Sequence, residues 1–258
     1  MLGWSFKLFR IRGIQLAVHF TFVLLLAYVA KEGWAEDGLN GLLWSVATIL
    51  AFFTCVVLHE LGHSFTAIHY GVGVRRILLM PIGGMAEFDS IPRRPRHELM
   101  ITIAGPAVNF VIATILGLAV GLPDGWSFWS FADYPANGTG FAQMLLHWNL
   151  WMGCFNLLPS FPMDGGRILR ALLAMKFDYL RATFWAATVG KFVCGLGVIY
   201  GLVFHHTMTA VLFGFIFVVG ELEYRAVKRR ELEDAYWREM MLRAYATPPA
   251  QEPPILTS

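Results

Sequence analysis

The sequence predicts an α-helical, polytopic membrane protein with about six transmembrane helices. Of its 258 residues, 57% are hydrophobic and only 15% are charged, whereas an ordinary soluble domain carries about 25% charged residues. The mean hydropathy of +0.56 points the same way. The apolar residues also gather into long runs, and a helix that crosses a hydrocarbon layer needs about 20 mostly apolar residues. A soluble globular domain is therefore excluded.

The predicted spans follow one another from residue 14 to residue 222. They cover residues 14–30, 42–68, 99–120, 141–158, 184–204 and 208–222. The first run is followed by no small-residue cleavage pattern, so we interpret it as a retained span rather than as a signal peptide.

The basic residues predict the orientation of these spans. Nineteen of the 20 Lys and Arg residues lie on one side of the predicted membrane, and Lys31 alone lies on the other. Because loops rich in Lys and Arg stay in the cytoplasm, both termini are predicted to be cytoplasmic. The small size and the lack of targeting signals favour a prokaryotic cell (inner) membrane as the location of this multi-pass protein.

Three regions are predicted along the chain. Residues 1–222 form the membrane domain, residues 223–247 a charged, cytoplasmic amphipathic helix with pairs such as Arg229 and Glu233, and residues 248–258 a Pro-containing, disordered tail. The amphipathic segment could lie on the membrane surface or continue the last span as a solvated helix.

Charge and cysteine usage exclude two further classes. The formal net charge of +2 gives no basic surface that would attract nucleic acid. The three cysteines, Cys55, Cys154 and Cys194, lie far apart inside apolar runs, so we interpret them as small hydrophobic residues rather than as a metal or disulfide framework.

The second predicted span carries a charged and metal-ligating motif. His59, Glu60 and His63 form the pattern H-E-x-x-H. Residues four apart lie on one face of a helix, so the two imidazoles can hold one Zn²⁺ while Glu60 serves as general base. A charged residue inside a span costs about 2.5–3.5 kcal/mol on insertion scales and marks function by default.

A catalytic zinc ion usually has three protein ligands, so a third is needed. His69 is near in sequence, but on a continuous helix it faces away from His63. Asp164 follows Pro159 and Pro162, which must interrupt the fourth span. Taken alone, Asp164 would be interpreted as a helix N-cap in a cytoplasmic loop. Beside a two-histidine site that lacks a ligand, it is the better third ligand.

The two motifs together, H-E-L-G-H and F-N-L-L-P-S-F-P-M-D-G-G-R, resemble those of the site-2 protease family of intramembrane zinc metalloproteases. The resemblance covers about residues 13–230 and fits the compact six-span type without a PDZ or CBS domain. It implies a core made of the second, third and fourth spans and one Zn²⁺ per chain. The implied metal ligands are His59, His63 and Asp164, Glu60 is the implied catalytic acid and base, and Asn156 would donate to the oxyanion.

The resemblance also implies a small membrane-associated β-hairpin after the second span. Val74 to Phe88 matches it, and Gly83 and Gly84 fall at the family's double glycine, where an edge strand would bind an unwound substrate. Asn109, in the stretch A-G-P-A-V-N, falls in another family segment and is interpreted as structural.

The implied function is cleavage of a transmembrane or membrane-proximal helix of a membrane-anchored protein, as in regulated intramembrane proteolysis. The expected partners are that substrate, the lipid bilayer and, optionally, a regulatory membrane protein; no nucleic acid and no particular oligomer is predicted. The main alternative is a zinc or ion transporter, since intramembrane His and carboxylate groups can also bind ions in transit. A zinc protease acting on prenylated C-termini would instead take its third ligand from a Glu on a later helix, and an inactive scaffold is the fourth interpretation.

Overall fold

A computed structural model describes residues 4–89, 94–122, 134 and 137–246 of the chain. Ten elements follow one another: β1 Ser5–Ile11, β2 Ile14–His19, α1 Phe20–His69, β3 Val74–Met80, β4 Gly83–Phe88, α2 Pro95–Val120, α3 Gly138–Asn156, α4 Asp164–Leu173, α5 Tyr179–Val203 and α6 Thr207–Ala246. Helices dominate, as predicted, and the strands gather into one small sheet.

The sheet is larger than the sequence predicted. Its order is β1-β2-β3-β4, with β2 and β3 parallel and the other neighbours antiparallel. The predicted hairpin is present as β3 and β4, with Val74 opposite Phe88. The other hairpin was not predicted: Arg12 and Gly13 both have positive φ and close a two-residue turn between Ile11 and Ile14. The prediction of a span that begins at residue 14 was therefore wrong for residues 14–19, which form β2.

Helix α1 contains two helical rods that are joined at a sharp bend. Asp37 and Gly38 have non-helical backbone angles inside its 50 residues. Gly33 and Gly41 lie on either side of this bend, and a Cβ on Gly33 would collide with the carbonyl of Gly41. The rods thus approach each other backbone to backbone at small residues, as packed membrane helices do.

Within the described part of the chain, three helices are long and apolar enough to cross a membrane: Phe20–His69, Pro95–Val120 and Tyr179–Val203. The six predicted spans fall on helical residues apart from residues 14–19, 157–158 and 204, but a count of six spans stays a prediction. The predicted border at residue 222 coincides with no break, since α6 is continuous from Thr207 to Ala246. The predicted disordered tail, 248–258, lies outside the described residues.

The sheet packs on the second rod of α1. Ile14, Leu16, Ile77 and Leu79 of the sheet share a buried cluster with α1 residues, among them Val56. This packing brings β4 against the turn of α1 that carries the H-E-x-x-H motif. On the same hairpin, Arg76 donates to Glu87 over 2.7 Å, and this hydrogen bond lowers the pKa of the Glu87 carboxyl.

The helix of the fourth predicted span ends shortly before Pro159 and Pro162, as these prolines indicated. Helix α3 stops at Asn156, residues 157–163 are irregular, and α4 starts at Asp164. Met163, not Asp164, occupies the N-cap position. The capping role that was weighed for Asp164 and set aside is thus not the one it has, and its carboxylate faces the two histidines of α1.

Candidate metal centre

Three metal-ligating side chains from two distant parts of the chain meet at one point. His59 and His63 lie one turn apart on α1, and Asp164 is the first residue of α4. All three are buried, with 5%, 7% and 9% of their surface exposed. Among the described residues, they form the group of His, Cys, Asp or Glu that could hold a metal ion.

The distances between the three ligating atoms suit a tetrahedral ion. The two histidine Nε2 atoms are 3.0 Å apart, and Asp164 Oδ2 is 3.2 Å from each of them. Zinc bonds of about 2.0–2.1 Å at tetrahedral angles place neighbouring ligand atoms about 3.3 Å apart. The triangle of ligand atoms is therefore within a few tenths of an ångström of the zinc geometry.

Hydrogen bonds on the far side of each imidazole determine which nitrogen faces the site. His63 Nδ1 lies 2.8 Å from the carbonyl oxygen of Ile101, which can only accept, so Nδ1 carries the proton. In the neutral imidazole, Nε2 then presents a lone pair to the site. The contact is with α2, so that helix fixes the orientation of a ligand carried by α1.

A longer chain of hydrogen bonds fixes His59 in the same way. The Asn149 amide nitrogen donates to the carbonyl of Leu145 over 2.8 Å, which orients that amide. Its oxygen then accepts from Asn109 Nδ2 over 2.9 Å, and Asn109 Oδ1 faces His59 Nδ1 over 2.6 Å. Because Asn109 presents an oxygen, His59 Nδ1 must donate, and its Nε2 also presents a lone pair.

The donor set therefore fits a cation. Two imidazole lone pairs and one carboxylate oxygen converge within 3.2 Å of one another, an arrangement in which neutral imidazoles and the carboxylate repel each other unless a positive charge lies between them. This set of two nitrogens and one oxygen is one that zinc takes in catalytic sites, where three protein ligands leave a position open.

Glycines allow the helices to approach the metal ligands. Gly105 of α2 lies directly against both imidazoles: a Cβ there would stand 2.8 Å from His59 Nε2 and would collide with His63. Gly62, inside the H-E-x-x-H motif, faces the carbonyl of Ala104 on α2, and a Cβ would stand 2.7 Å from it. Small residues at this crossing are what permit α2 to reach the histidines.

Glu60 faces a cavity beside the metal ligands. Its Oε2 accepts a hydrogen bond from the backbone N–H of Ala86 on β4 over 3.2 Å, and a Cβ on Gly84 would stand 2.8 Å from Glu60 Cγ. The hairpin therefore packs onto the carboxylate that the sequence predicted to be catalytic. Gly83, which has a φ of +132°, begins β4 on the cavity wall.

The cavity has a volume of about 590 Å³. His59, Glu60 and Asn156 supply its polar wall, and Phe52, Trp148, Trp151 and Phe155 are among its apolar lining. Asn156 Nδ2 donates to the carbonyl of Met152 on its own helix over 3.0 Å, and a primary amide has a second N–H to offer. The structure thus brings together every predicted site residue around one cluster and one cavity.

Several supporting groups were not predicted from the sequence. Asn109 was interpreted as structural, and its contact with Nδ1 of the candidate ligand His59 was not foreseen. Its position within A-G-P-A-V-N was the only sequence signal available. The carbonyl of Ile101 and the N–H of Ala86 belong to the backbone, and no side-chain pattern could reveal them. His69, which was set aside as a ligand, packs on Tyr70 at the end of α1.

The chain is similar in sequence to a peptidase family and to proteins that are named zinc metalloproteases. A sequence profile described as "Peptidase family M50" matches residues 47–140 and 135–197. The chain is 41% identical to "Zinc metalloprotease MJ0392" of Methanocaldococcus jannaschii, over 88% of this chain and 62% of that protein. It is 30% identical to "Putative zinc metalloprotease Rip3" of Mycobacterium tuberculosis, over 75% of this chain and 50% of that protein. The chain thus spans between half and two thirds of these two relatives.

A solved structure has the same fold. The site-2 protease from Methanocaldococcus jannaschii superposes with a TM-score of 0.61 at 38% sequence identity, covering 86% of this chain and 95% of that one. The resemblance that the two motifs indicated is confirmed by these similarities. None of the names of these proteins supports the transporter alternative.

Proposed function

Since the chain belongs to peptidase family M50, the family of the site-2 proteases, we propose that it is an intramembrane zinc metalloprotease that cleaves a transmembrane or membrane-proximal helix of a membrane-anchored protein. Zinc is the cofactor that the family and the donor set imply. The chain is a membrane protein with several apolar helices. Such a cleavage would be a step of regulated intramembrane proteolysis.

One observation carries the proposal: the metal-ligand cluster opens onto a cavity whose wall also holds a carboxylate. His59 contributes to both the cluster and the cavity, and Glu60, the next residue, lies on the cavity wall. A structural metal site would be closed by a fourth protein ligand, whereas a hydrolytic site needs an open position and a base beside it. The arrangement of these residues is that of a hydrolytic site.

Each site residue has a role in this proposal. His59, His63 and Asp164 would hold Zn²⁺, which supplies an activated water and polarises the scissile carbonyl. Glu60 takes the proton of the attacking water and delivers it to the leaving amine. The hydrogen bond from Ala86 holds the Glu60 carboxylate on the cavity wall, so the base is oriented before substrate arrives.

Asn156 is the proposed donor to the carbonyl oxygen that becomes negatively charged during the attack. One of its N–H groups is engaged with Met152, and that bond orients the amide so that the other N–H is available at the cavity. A donor that is fixed in advance stabilises developing charge without reorganisation, and removing one such donor typically costs about 10²–10³-fold in rate.

The substrate enters this cavity in an extended form. A helix hides its carbonyls in its own hydrogen bonds, so the bond to be cleaved must first be unwound. Strand β4 is an edge of the sheet, and its start at Gly83 and Gly84 borders the cavity. Backbone groups on such an edge can pair with an added strand. The apolar lining from Phe52, Trp148 and Trp151 favours hydrophobic side chains next to the cleaved bond.

We also propose the topology that the basic residues predict, with both termini in the cytoplasm of a prokaryotic cell. A cysteine-reactive, membrane-impermeant label applied to intact cells tests it. After Cys154 is changed to Ala, a cysteine in the 223–247 segment should react only once the membrane is broken. Reaction in intact cells would refute the proposed orientation.

The decisive experiment compares the native chain with Glu60→Gln in detergent. Zinc content and cleavage of single-span test substrates are measured on both, with Glu239→Gln, an exposed change on α6, as the matched control. We expect about one zinc ion in all three proteins and cleavage by the native chain and the control only. Cleavage by Glu60→Gln at the native rate would refute the proposed base, and the absence of zinc from the native chain would refute the metal site.

A further inference from the structure

A buried ion pair lies outside the metal cluster and takes no part in the proposed chemistry. Arg170 of α4 and Glu98 of α2 have only 3% and 4% of their surface exposed. Arg170 donates from Nε over 2.8 Å and from Nη2 over 2.5 Å, both to Glu98 Oε1. Charge-assisted bonds of this kind are strong and directional, so they fix the distance between the two helices.

The guanidinium of Arg170 also joins two other segments. It lies 5.1 Å from the ring centres of both Phe161 and Tyr179. Phe161 belongs to the irregular link 157–163 that precedes Asp164, and Tyr179 is the first residue of α5. One side chain therefore contacts α2, the link before the third metal ligand, and α5, while its own helix begins with that ligand.

Stability alone does not account for this pair. A buried ion pair must recover the cost of removing two charges from water, and apolar replacements of similar volume are often neutral or stabilising. The second carboxylate oxygen of Glu98 and the hydroxyl of Tyr179 have no hydrogen-bond partner among the described residues, and an unpaired buried polar group is destabilising. Because the pair is costly, its presence is better explained by the relative position of α2 and α4 that it fixes.

That geometry concerns the metal ligands. Glu98 lies three residues before Ile101, whose carbonyl orients His63, and on the same helix as Asn109, which orients His59. Arg170 lies six residues after Asp164, or about 9 Å along the axis of α4. If α4 tilted by about 5° around Arg170, Asp164 would move by about 0.8 Å. A metal site tolerates deviations of only about 0.2 Å in its metal–ligand distances.

We propose that the Glu98–Arg170 pair is a positioning pair that fixes Asp164 relative to His59 and His63, so that metal affinity depends on it while the fold does not. This inference rests on the proposed metal site. The pair connects the helix that orients both histidines with the helix that begins at the third ligand.

The test replaces both charges with apolar side chains, Glu98→Leu with Arg170→Met. The matched control, Lys191→Met with Glu221→Leu, removes an ion pair that joins α5 to α6 rather than α2 to α4. For each purified protein, the thermal midpoint without metal, the zinc affinity by chelator competition and the absorption spectrum of bound Co²⁺ are measured.

We expect the apolar variant to unfold within a few degrees of the native chain, to bind zinc at least about tenfold more weakly, and to give an altered Co²⁺ spectrum. The control should match the native chain in all three. A native zinc affinity and Co²⁺ spectrum in the apolar variant would overturn the inference and leave the proposed function standing. A native chain that binds neither metal would overturn both.

A second variant keeps the inference testable if the apolar one does not fold. Arg170→Lys retains the charge but replaces a planar group that donates twice and stacks on two rings with a single ammonium. We expect it to fold and to show the same direction of change in zinc affinity and Co²⁺ spectrum. A native result from a folded Arg170→Lys protein would count against the positioning role.

Discussion

Gly105→Ala adds one methyl group beside the two candidate histidine ligands and should weaken metal binding strongly. The added Cβ would stand 2.8 Å from His59 Nε2 and still closer to His63. Ordinary Cβ contacts begin at about 3.4 Å, so His59 alone must retreat by about 0.6 Å, the difference of these two distances. That is about three times the tolerance of a metal–ligand distance.

The surroundings prevent the helices from separating to relieve this collision. His59 is held from behind by Asn109 and His63 by Ile101, both on the helix that carries Gly105. Gly62 packs against Ala104 at the same crossing. We therefore expect zinc affinity to fall by at least about 100-fold, or about 2.7 kcal/mol, which is the upper end of the range for changes next to metal ligands.

The assay is a zinc titration against a competing chelator, with circular dichroism to establish that the helices are retained. Gly195→Ala on α5 is the matched control, because nothing lies within 4 Å of the position that its Cβ would take. A Gly105→Ala protein that is folded and binds zinc with the native affinity would refute the helix packing described around the histidines.

Three further changes test the other parts of the site. Asn109→Ala should weaken zinc binding by about 10- to 100-fold, since it leaves His59 without its hydrogen-bond acceptor. The control Thr114→Ala removes only a hydrogen bond to the carbonyl of Phe110 on the same helix and should leave zinc binding unchanged. Equal zinc affinities for the two variants would contradict the proposed role of Asn109. Asp164→Ala should leave less than stoichiometric zinc after dialysis, and a full zinc complement measured by atomic absorption would remove Asp164 from the ligand set. Asn156→Ala should keep its zinc and lower kcat by about 10²–10³-fold with little change in KM; an unchanged kcat would exclude Asn156 as the oxyanion donor.

The three candidate metal ligands could be proposed from the sequence because helix geometry and zinc chemistry constrain such sites strongly, and the structure brings the three side chains together. Residues four apart must share a helix face, so His59 and His63 could be paired from spacing alone. Asp164 lies 101 residues after His63, and no local pattern distinguishes a ligand from a capping residue. It was identified because a two-histidine site required one more ligand, and the structure places its carboxylate 3.2 Å from both imidazoles.

The N-terminal hairpin was missed for a physical reason as well. The apolar run continues from β2 into α1 without interruption, so hydropathy alone merges the strand with the helix. Their boundary is His19, whose side chain accepts a hydrogen bond from the N–H of Thr21 as an N-cap. The strand did leave a signal in the sequence, since the large apolar residues Ile14, Leu16 and Val18 stand at alternate positions and follow Arg12 and Gly13, where the chain turns.

The supporting contacts of the metal ligands could not be predicted, because they depend on how α2 crosses α1. Their distribution has a consequence for how substrate reaches the site. Helix α2 supplies the contacts behind both histidines and the acceptor for Arg170 of α4. The described residues that line the cavity come instead from α1, from the β3–β4 hairpin, from α3 and from Met163.

The elements that hold the metal ligands are therefore separate from most of those that border the cavity. Movement of β4 away from α1 would widen the cavity without disturbing a contact of His59 or His63 with α2. Movement of α2 would change the orientation of both histidines at once, and through Glu98 it would also shift Asp164. A substrate helix that enters by displacing the hairpin would leave the contacts behind both histidines in place. Displacement of α3 would instead remove Asn149 from Asn109, which orients His59, and entry past α2 would disturb both histidines before cleavage. The contacts thus favour admission from the side of the hairpin, and cross-links that join the hairpin to α3 should block cleavage while leaving zinc affinity unchanged. Loss of zinc in such a cross-linked protein would contradict this separation.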